Sequence, residues 1–307
     1  MFPEHCQGRD GTPAPATSKT YNSAGRDPEP GFKATYDFTF NTQWGYKDAL
    51  ARGQFVEDTI WFGTPPNSVR VEEIRFGVAD NIQMPDDFGI LGLSARDDEE
   101  DTRTGTHFLS RLDDVLTHKM FTLFYQPGGG RITFGDYDPH NCGMVRSIVR
   151  VAPETINWQF RMDSFILNNE PLFGATDVIS DSGSTDIHVP KKAFDTIMAA
   201  IGDVEYDPSI NPLPHVSCNR VQNIRIKLMI GDMPYSLPVN ALTERSGNNM
   251  CSIHIVPHSN DFPGKAWLLG APWLRSYCQV HYFSNLQHPE IGFALINRHV
   301  GDGQYFH

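Results

Sequence analysis

From residue 33 to residue 40 apolar and polar positions alternate, Ala34, Tyr36, Phe38 and Phe40 against Lys33, Thr35, Asp37 and Thr39, the period of a strand with one buried face. The pattern predicts a second strand over 55–62, entered through a turn at Gly53, and a hairpin in which 120–125 and 131–134 flank Gly128-Gly129-Gly130. Another alternating run, 224–230, passes through the turn pair Gly231-Asp232 into 234–239. Two stretches carry helical spacing: over 109–116 the apolar positions are Leu109, Leu112, Val115 and Leu116, and over 190–201 Ala193, Phe194, Ile197, Met198 and Ile201 share one face. Residues 1–30 are rich in Gly, Pro, Ser and Thr without sustained period and read as loop, as does the acidic stretch 96–106. Phe88-Gly89-Ile90-Leu91-Gly92-Leu93 and Trp267-Leu268-Leu269-Gly270 share a chemistry, bulky apolar residues closed by glycine, and this recurrence predicts two lobes of related design.

Composition narrows the class. A chain of 307 residues can bury a sizeable core as one large or two medium domains, and 26 Gly and 22 Pro among scattered aromatic and β-branched residues favour many short strands over helical bundles. A net charge of -12 argues against nucleic acid and anionic membrane surfaces, which require a basic patch. No apolar run is long enough to span a bilayer, and Met1-Phe2-Pro3-Glu4-His5-Cys6 has neither the basic nor the apolar region of a signal peptide. The five cysteines contain no Cys-x-x-Cys pair, so disulfides in an oxidising compartment fit better than zinc, with one thiol left over. Disulfides without a signal peptide lead us to expect an incomplete N-terminus.

The chemistry centres on Asp181-Ser182-Gly183-Ser184-Thr185, which follows the apolar run Asp177-Val178-Ile179-Ser180. A small, glycine-loosened turn after a strand lifts one carboxylate clear of the sheet. Alone, such a triplet is an ordinary surface turn. In company with Pro190, the two apolar-Gly segments, Asn157-Trp158-Gln159-Phe160-Arg161-Met162-Asp163, Leu274-Arg275-Ser276-Tyr277 and Ile291-Gly292-Phe293-Ala294, it resembles the pepsin-like aspartic endopeptidases over almost the whole chain.

The resemblance implies a mostly β, bilobal fold, with a truncated N-terminal lobe at 1–149 carrying a flap hairpin and a C-terminal lobe at 150–307 carrying the Asp181 loop. It implies that Asp181 is catalytic and that Gly183, Ser184 and a flap tyrosine, Tyr46, contact substrate. It pairs Cys218 with Cys251 and, as in nematode members, Cys142 with Cys278, leaving Cys6 over. It also implies peptide or protein substrates, no metal and no organic cofactor, no nucleic-acid or membrane partner, a monomer, and a secreted or lysosomal setting.

That reaction needs two carboxylates sharing one proton, one acting as base towards water and the other as acid towards the carbonyl oxygen. The chain holds no second Asp-Ser-Gly or Asp-Thr-Gly: Asp10-Gly11-Thr12 has the letters in the wrong order and follows no apolar strand, and the family's first loop is expected ahead of Phe2. Ala271, Asp186 and His281-Tyr282-Phe283 also depart from the family pattern, which often has Asp, an apolar residue and Phe-Asp-Arg there. Three functions remain open: an endopeptidase whose first Asp lies outside these residues, the chain as given being inactive; a non-catalytic peptide-binding protein; and a dimer in which each copy donates one Asp.

Overall fold

The computed structural model describes residues 33–43, 50–62, 69–83, 90–97, 106–112, 115–126, 129–258 and 265–297. The chain divides between Thr117 and His118 into two compact units.

In the first unit β1 (Lys33–Gln43), β2 (Leu50–Phe62) and β3 (Val69–Gln83) form an antiparallel sheet in that order. Gly53, where the sequence predicts a turn, lies within β2 opposite Phe40 and Ala79, at a register shift of the β2–β3 ladder. Glycine there relaxes the pairing instead of reversing the chain. The helix predicted over 109–116 shrinks to α1 (Phe108–Arg111), followed by turn bonds from the Val115 and Leu116 N–H groups to the Leu112 carbonyl. Leu109, Leu112 and Leu116 are buried but Val115 is exposed. Residues 90–97 form no strand.

The second unit is built on an antiparallel sheet of order β5-β4-β19-β20-β6, from β4 (Met120–Gln126), β5 (Gly129–Phe134), β6 (Cys142–Arg150), β19 (Tyr277–Tyr282) and β20 (Glu290–Ile296). The lobe boundary that the sequence predicts at 149/150 lies inside β6; β4 is hydrogen-bonded to β19 and β6 to β20. A mixed sheet of order β17-β11-β18-β10-β7 holds β7 (Gln159–Met162), β10 (Thr176–Ser180), β11 (Ile187–Val189), β17 (Ile255–Pro257) and β18 (Trp267–Leu269). A third, β14-β13-β8-β9, holds β8 (Ser164–Leu167), β9 (Glu170–Phe173), β13 (Ile226–Ile230) and β14 (Met233–Leu237), and a fourth, β12-β16-β15, holds β12 (His215–Ser217), β15 (Thr243–Gly247) and β16 (Met250–Ile253).

Gly231 and Asp232, both at positive φ, make the tight β13–β14 turn that their types predict. The long helix α2 (Lys191–Ile201) buries Ala193, Phe194, Ile197, Met198 and Ile201, the predicted face, and ends at Gly202, whose φ of 74° closes it. One-turn helices α3 (Cys218–Val221), α4 (Val239–Leu242) and α5 (Ala271–Leu274) serve as corners.

An aromatic group locks the sheets together: Trp273 packs edge-on to Tyr235 and Phe293, and Tyr235 edge-on to Tyr277. Each buried phenol keeps a partner, Tyr277 donating to the Ser236 carbonyl at 2.8 Å and Tyr235 sharing a 2.6 Å bond with the Ser147 hydroxyl. Burial pushes the Tyr277 hydroxyl up to about 12. Two disulfides, Cys142–Cys278 between β6 and β19 and Cys218–Cys251 between α3 and β16, complete the unit. It is a mostly β chain.

Candidate active site

The Asp181 loop is shaped by one short strand. β18 runs parallel to β10 on one side, with Ser180 opposite Leu269, and antiparallel to β11 on the other, with Ile187 opposite the same Leu269. The six residues between Ser180 and Ile187 must therefore loop around the end of β18. Gly270 sits at that end. A Cβ there would lie 2.4 Å from the Ser184 carbonyl oxygen and 2.3 Å from that of Asp186, so only glycine lets the loop close. The Asp181 N–H donates to the Leu269 carbonyl at 3.2 Å, and the Ala271 N–H donates to the Ser184 carbonyl at 2.9 Å.

The Asp181 carboxylate is half-buried and held by its own loop. The Gly183 N–H donates to Oδ1 at 2.9 Å and the Ser184 hydroxyl to Oδ2 at 2.6 Å. Bonds to both oxygens fix the plane of the group. Behind it, the buried Ser180 hydroxyl donates to the Gln279 amide oxygen from β19, coupling the loop to the central sheet. Gln279 is fully buried, and its Nε2 has no partner among the described residues.

A second polar group closes the far end of the loop. His254 Nδ1 lies 2.7 Å from Asp186 Oδ1, and the Thr185 hydroxyl donates to Asp186 Oδ2 at 2.8 Å. Burial alone would raise the Asp186 carboxyl; the hydrogen bonds from His254 and Thr185 and the charges of His254 and His188 overcome it and hold the group below the usual carboxylate range. Burial pushes the His188 imidazole down, against the pull of Asp186 and Asp181. Among the described residues no group of three or more His, Cys, Asp or Glu side chains could hold a metal ion.

The structure thus brings together Asp181, Gly183 and Ser184, whereas Tyr46 and Cys6 lie outside the described residues. Sequence reasoning missed Gln279, His188 and His254 and noted Asp186 only as a departure. Ser180 and Gln279 are 99 residues apart, and Asp186 and His254 are 68 apart. An isolated polar residue at each of those positions was the only signal in the sequence.

A model of the eukaryotic aspartyl protease family matches residues 32–296. The chain is 28% identical over 270 residues to aspartic protease 6 of Caenorhabditis elegans, covering 83% of this chain and 67% of that protein. It is 25% identical over 299 residues to human gastricsin, covering 91% and 69%. Among solved structures, the aspartic proteinase of Irpex lacteus superposes with a TM-score of 0.71 at 18% identity, covering 87% of this chain and 84% of that one, which shows the same fold. The chain spans about two thirds of the length of the curated relatives it matches. Sequence and fold agree: the chain belongs to the eukaryotic aspartyl protease family and has the pepsin-like fold.

Proposed function

We propose that the chain serves an aspartic-type endopeptidase in which Asp181 is one of two carboxylates that share a proton and a water molecule. The observation that carries this is the loop itself, a carboxylate at the end of β10 with each oxygen held by a hydrogen bond from its own turn. In the reaction one carboxylate takes a proton from water as the water oxygen attacks the peptide carbonyl carbon. The other, protonated because two like charges so close cannot both ionise cheaply, gives its proton to the carbonyl oxygen. The first carboxyl then gives its newly gained proton to the amide nitrogen while the second takes one from a hydroxyl of the tetrahedral diol, so the C–N bond breaks, the amine and the carboxylic acid leave, and the pair regains its starting protonation. The 307 residues hold one Asp-Ser-Gly and no Asp-Thr-Gly, so by themselves they perform no turnover.

Extended peptides with apolar residues beside the cut are the substrates, bound in strand-like conformation against Gly183 and Ser184, and the flap tyrosine expected at Tyr46 lies outside the described residues. The Ser184 hydroxyl is already given to Asp181, so its part is to orient the carboxylate. Neither metal nor organic cofactor takes part, and the protein is a monomer. Its two disulfides fit an oxidising, secreted or lysosomal setting. A second reading, a non-catalytic peptide-binding protein, is favoured by the single loop and by Ala271 where the family often has Asp.

Cleavage of denatured globin at acidic pH tests both. The 307-residue protein is expected to cleave nothing, while a longer chain carrying a second such loop cleaves and loses about 10³-fold or more on Asp181→Ala. Turnover by the 307-residue protein at monomeric mass overturns the two-carboxylate argument. Binding of a statine-type peptide without turnover by any form establishes the second reading.

A further inference from the structure

We propose that Asp186 and His254 are positioning residues for the Asp181 loop, a latch that ties the outgoing end of the loop to the corner between β16 and β17. The loop returns to the sheet at Ile187, whose N–H donates to the His254 carbonyl at 3.0 Å, and one residue earlier the Asp186 side chain meets the His254 ring at 2.7 Å. One histidine thus grips the end of the loop by backbone and side chain together. It is itself fixed by its N–H, which donates to the Leu242 carbonyl at 2.8 Å. Both side chains of the pair are 16% exposed, enough shelter to limit screening by salt. An apolar residue at position 186 would fill space there without directing the loop.

The side-chain arm of the latch is a charge-assisted bond. Burial would raise the Asp186 carboxyl, but its hydrogen bonds to His254 and Thr185 hold it below the usual carboxylate range, so it offers the ring a charged acceptor. Glu244 on β15, exposed, lies 3.9 Å from the other ring nitrogen, His254 Nε2. The ring of His188 on β11 stacks at 6.3 Å on that of His258, which follows β17, and burial pushes both of these imidazoles down. The 2.7 Å bond, with the backbone bond beside it, sets where the end of the loop meets the sheet.

The link to catalysis rests on reading Asp181 as a catalytic carboxylate, but the latch is testable without turnover. Protection of the Gly183 amide against hydrogen exchange, measured by NMR on the 307-residue protein, reports how firmly the loop is held. Asp186→Asn and His254→Gln are each expected to lower it about tenfold, with the double variant no worse than either single one and with Asp186→Glu restoring part of the loss. Losses that are additive in the double variant or absent, or an Asp186→Glu variant no better than Asp186→Asn, overturn the proposal. The wild-type protein gives a measurement independent of variant folding: the His254 Nδ1 proton must be visible in the NMR spectrum, shifted downfield as a proton bonded to a carboxylate, and its absence overturns the latch. Failure of the Asp181 reading shows instead in the globin assay, so the two failures are distinguishable.

Discussion

Gly270 owes its identity to two carbonyl oxygens. The loop that carries Asp181 folds back over the end of β18 so closely that the Ser184 and Asp186 carbonyls occupy the space a side chain would need. Both obstacles are backbone atoms that cannot rotate away, so Gly270→Ala must push the loop off the strand. We expect a loss of about 3 kcal/mol in a denaturant midpoint measurement, together with weakened protection of the Gly183 amide. Asp181 itself was legible because a carboxylate in a small-residue turn after an apolar strand is a local signal. Gln279 was not. Its value to the loop is a bond to Ser180 across two sheets, and nothing near residue 279 in sequence announces it. Asp186 illustrates a third case: the sequence marks it as a departure from an apolar position, and only the fold shows the histidine that makes a half-buried carboxylate tolerable there.

At the scale of elements, local periodicity decided what could be read. The β13–β14 hairpin and α2 followed from alternation and from a one-sided apolar face, because each is stabilised by residues within a dozen positions of one another. Gly53 failed as a turn signal because a glycine in a long antiparallel pair also serves a register shift, and the two uses look alike in sequence. The order β17-β11-β18-β10-β7, which builds the site, joins strands from distant parts of the chain and has no periodic trace. The small sheet β12-β16-β15 depends on covalent help. Cys218–Cys251 closes a separation of 33 residues beside its central strand. Replacing both cysteines by serine is expected to lower unfolding stability by about 3–4 kcal/mol through the freed unfolded chain, measured as a shift in urea midpoint.

For the whole molecule, pH dependence enters through His281, whose buried ring is held neutral. Its ring is 3% exposed, stacked on Phe121 at 4.2 Å and met edge-on by Trp158 at 4.5 Å, and its Nδ1 has no partner among the described residues. Burial lowers the imidazole to about 3. The unfolded chain takes up this proton near pH 6.5 and the folded one does not, so stability is full above pH 6.5 and falls as acid is added, down to about pH 3. The slope contributed by this residue is about 1.4 kcal/mol per pH unit within that window. His281→Phe, which keeps the stacking, should flatten the stability–pH curve there and raise the melting temperature at pH 4.5 with little effect at pH 8. His188 and His258 tilt the curve the same way, whereas Asp186, whose carboxyl is lowered, contributes stability that persists until the pH falls through its depressed value.

Cys142 and Cys278 lie 136 residues apart, and their bridge encloses most of the second unit, with the smaller bridge nested inside it. A single backbone cut anywhere in that interval would therefore yield two fragments that travel together as one band in non-reducing electrophoresis and part only when thiol is added.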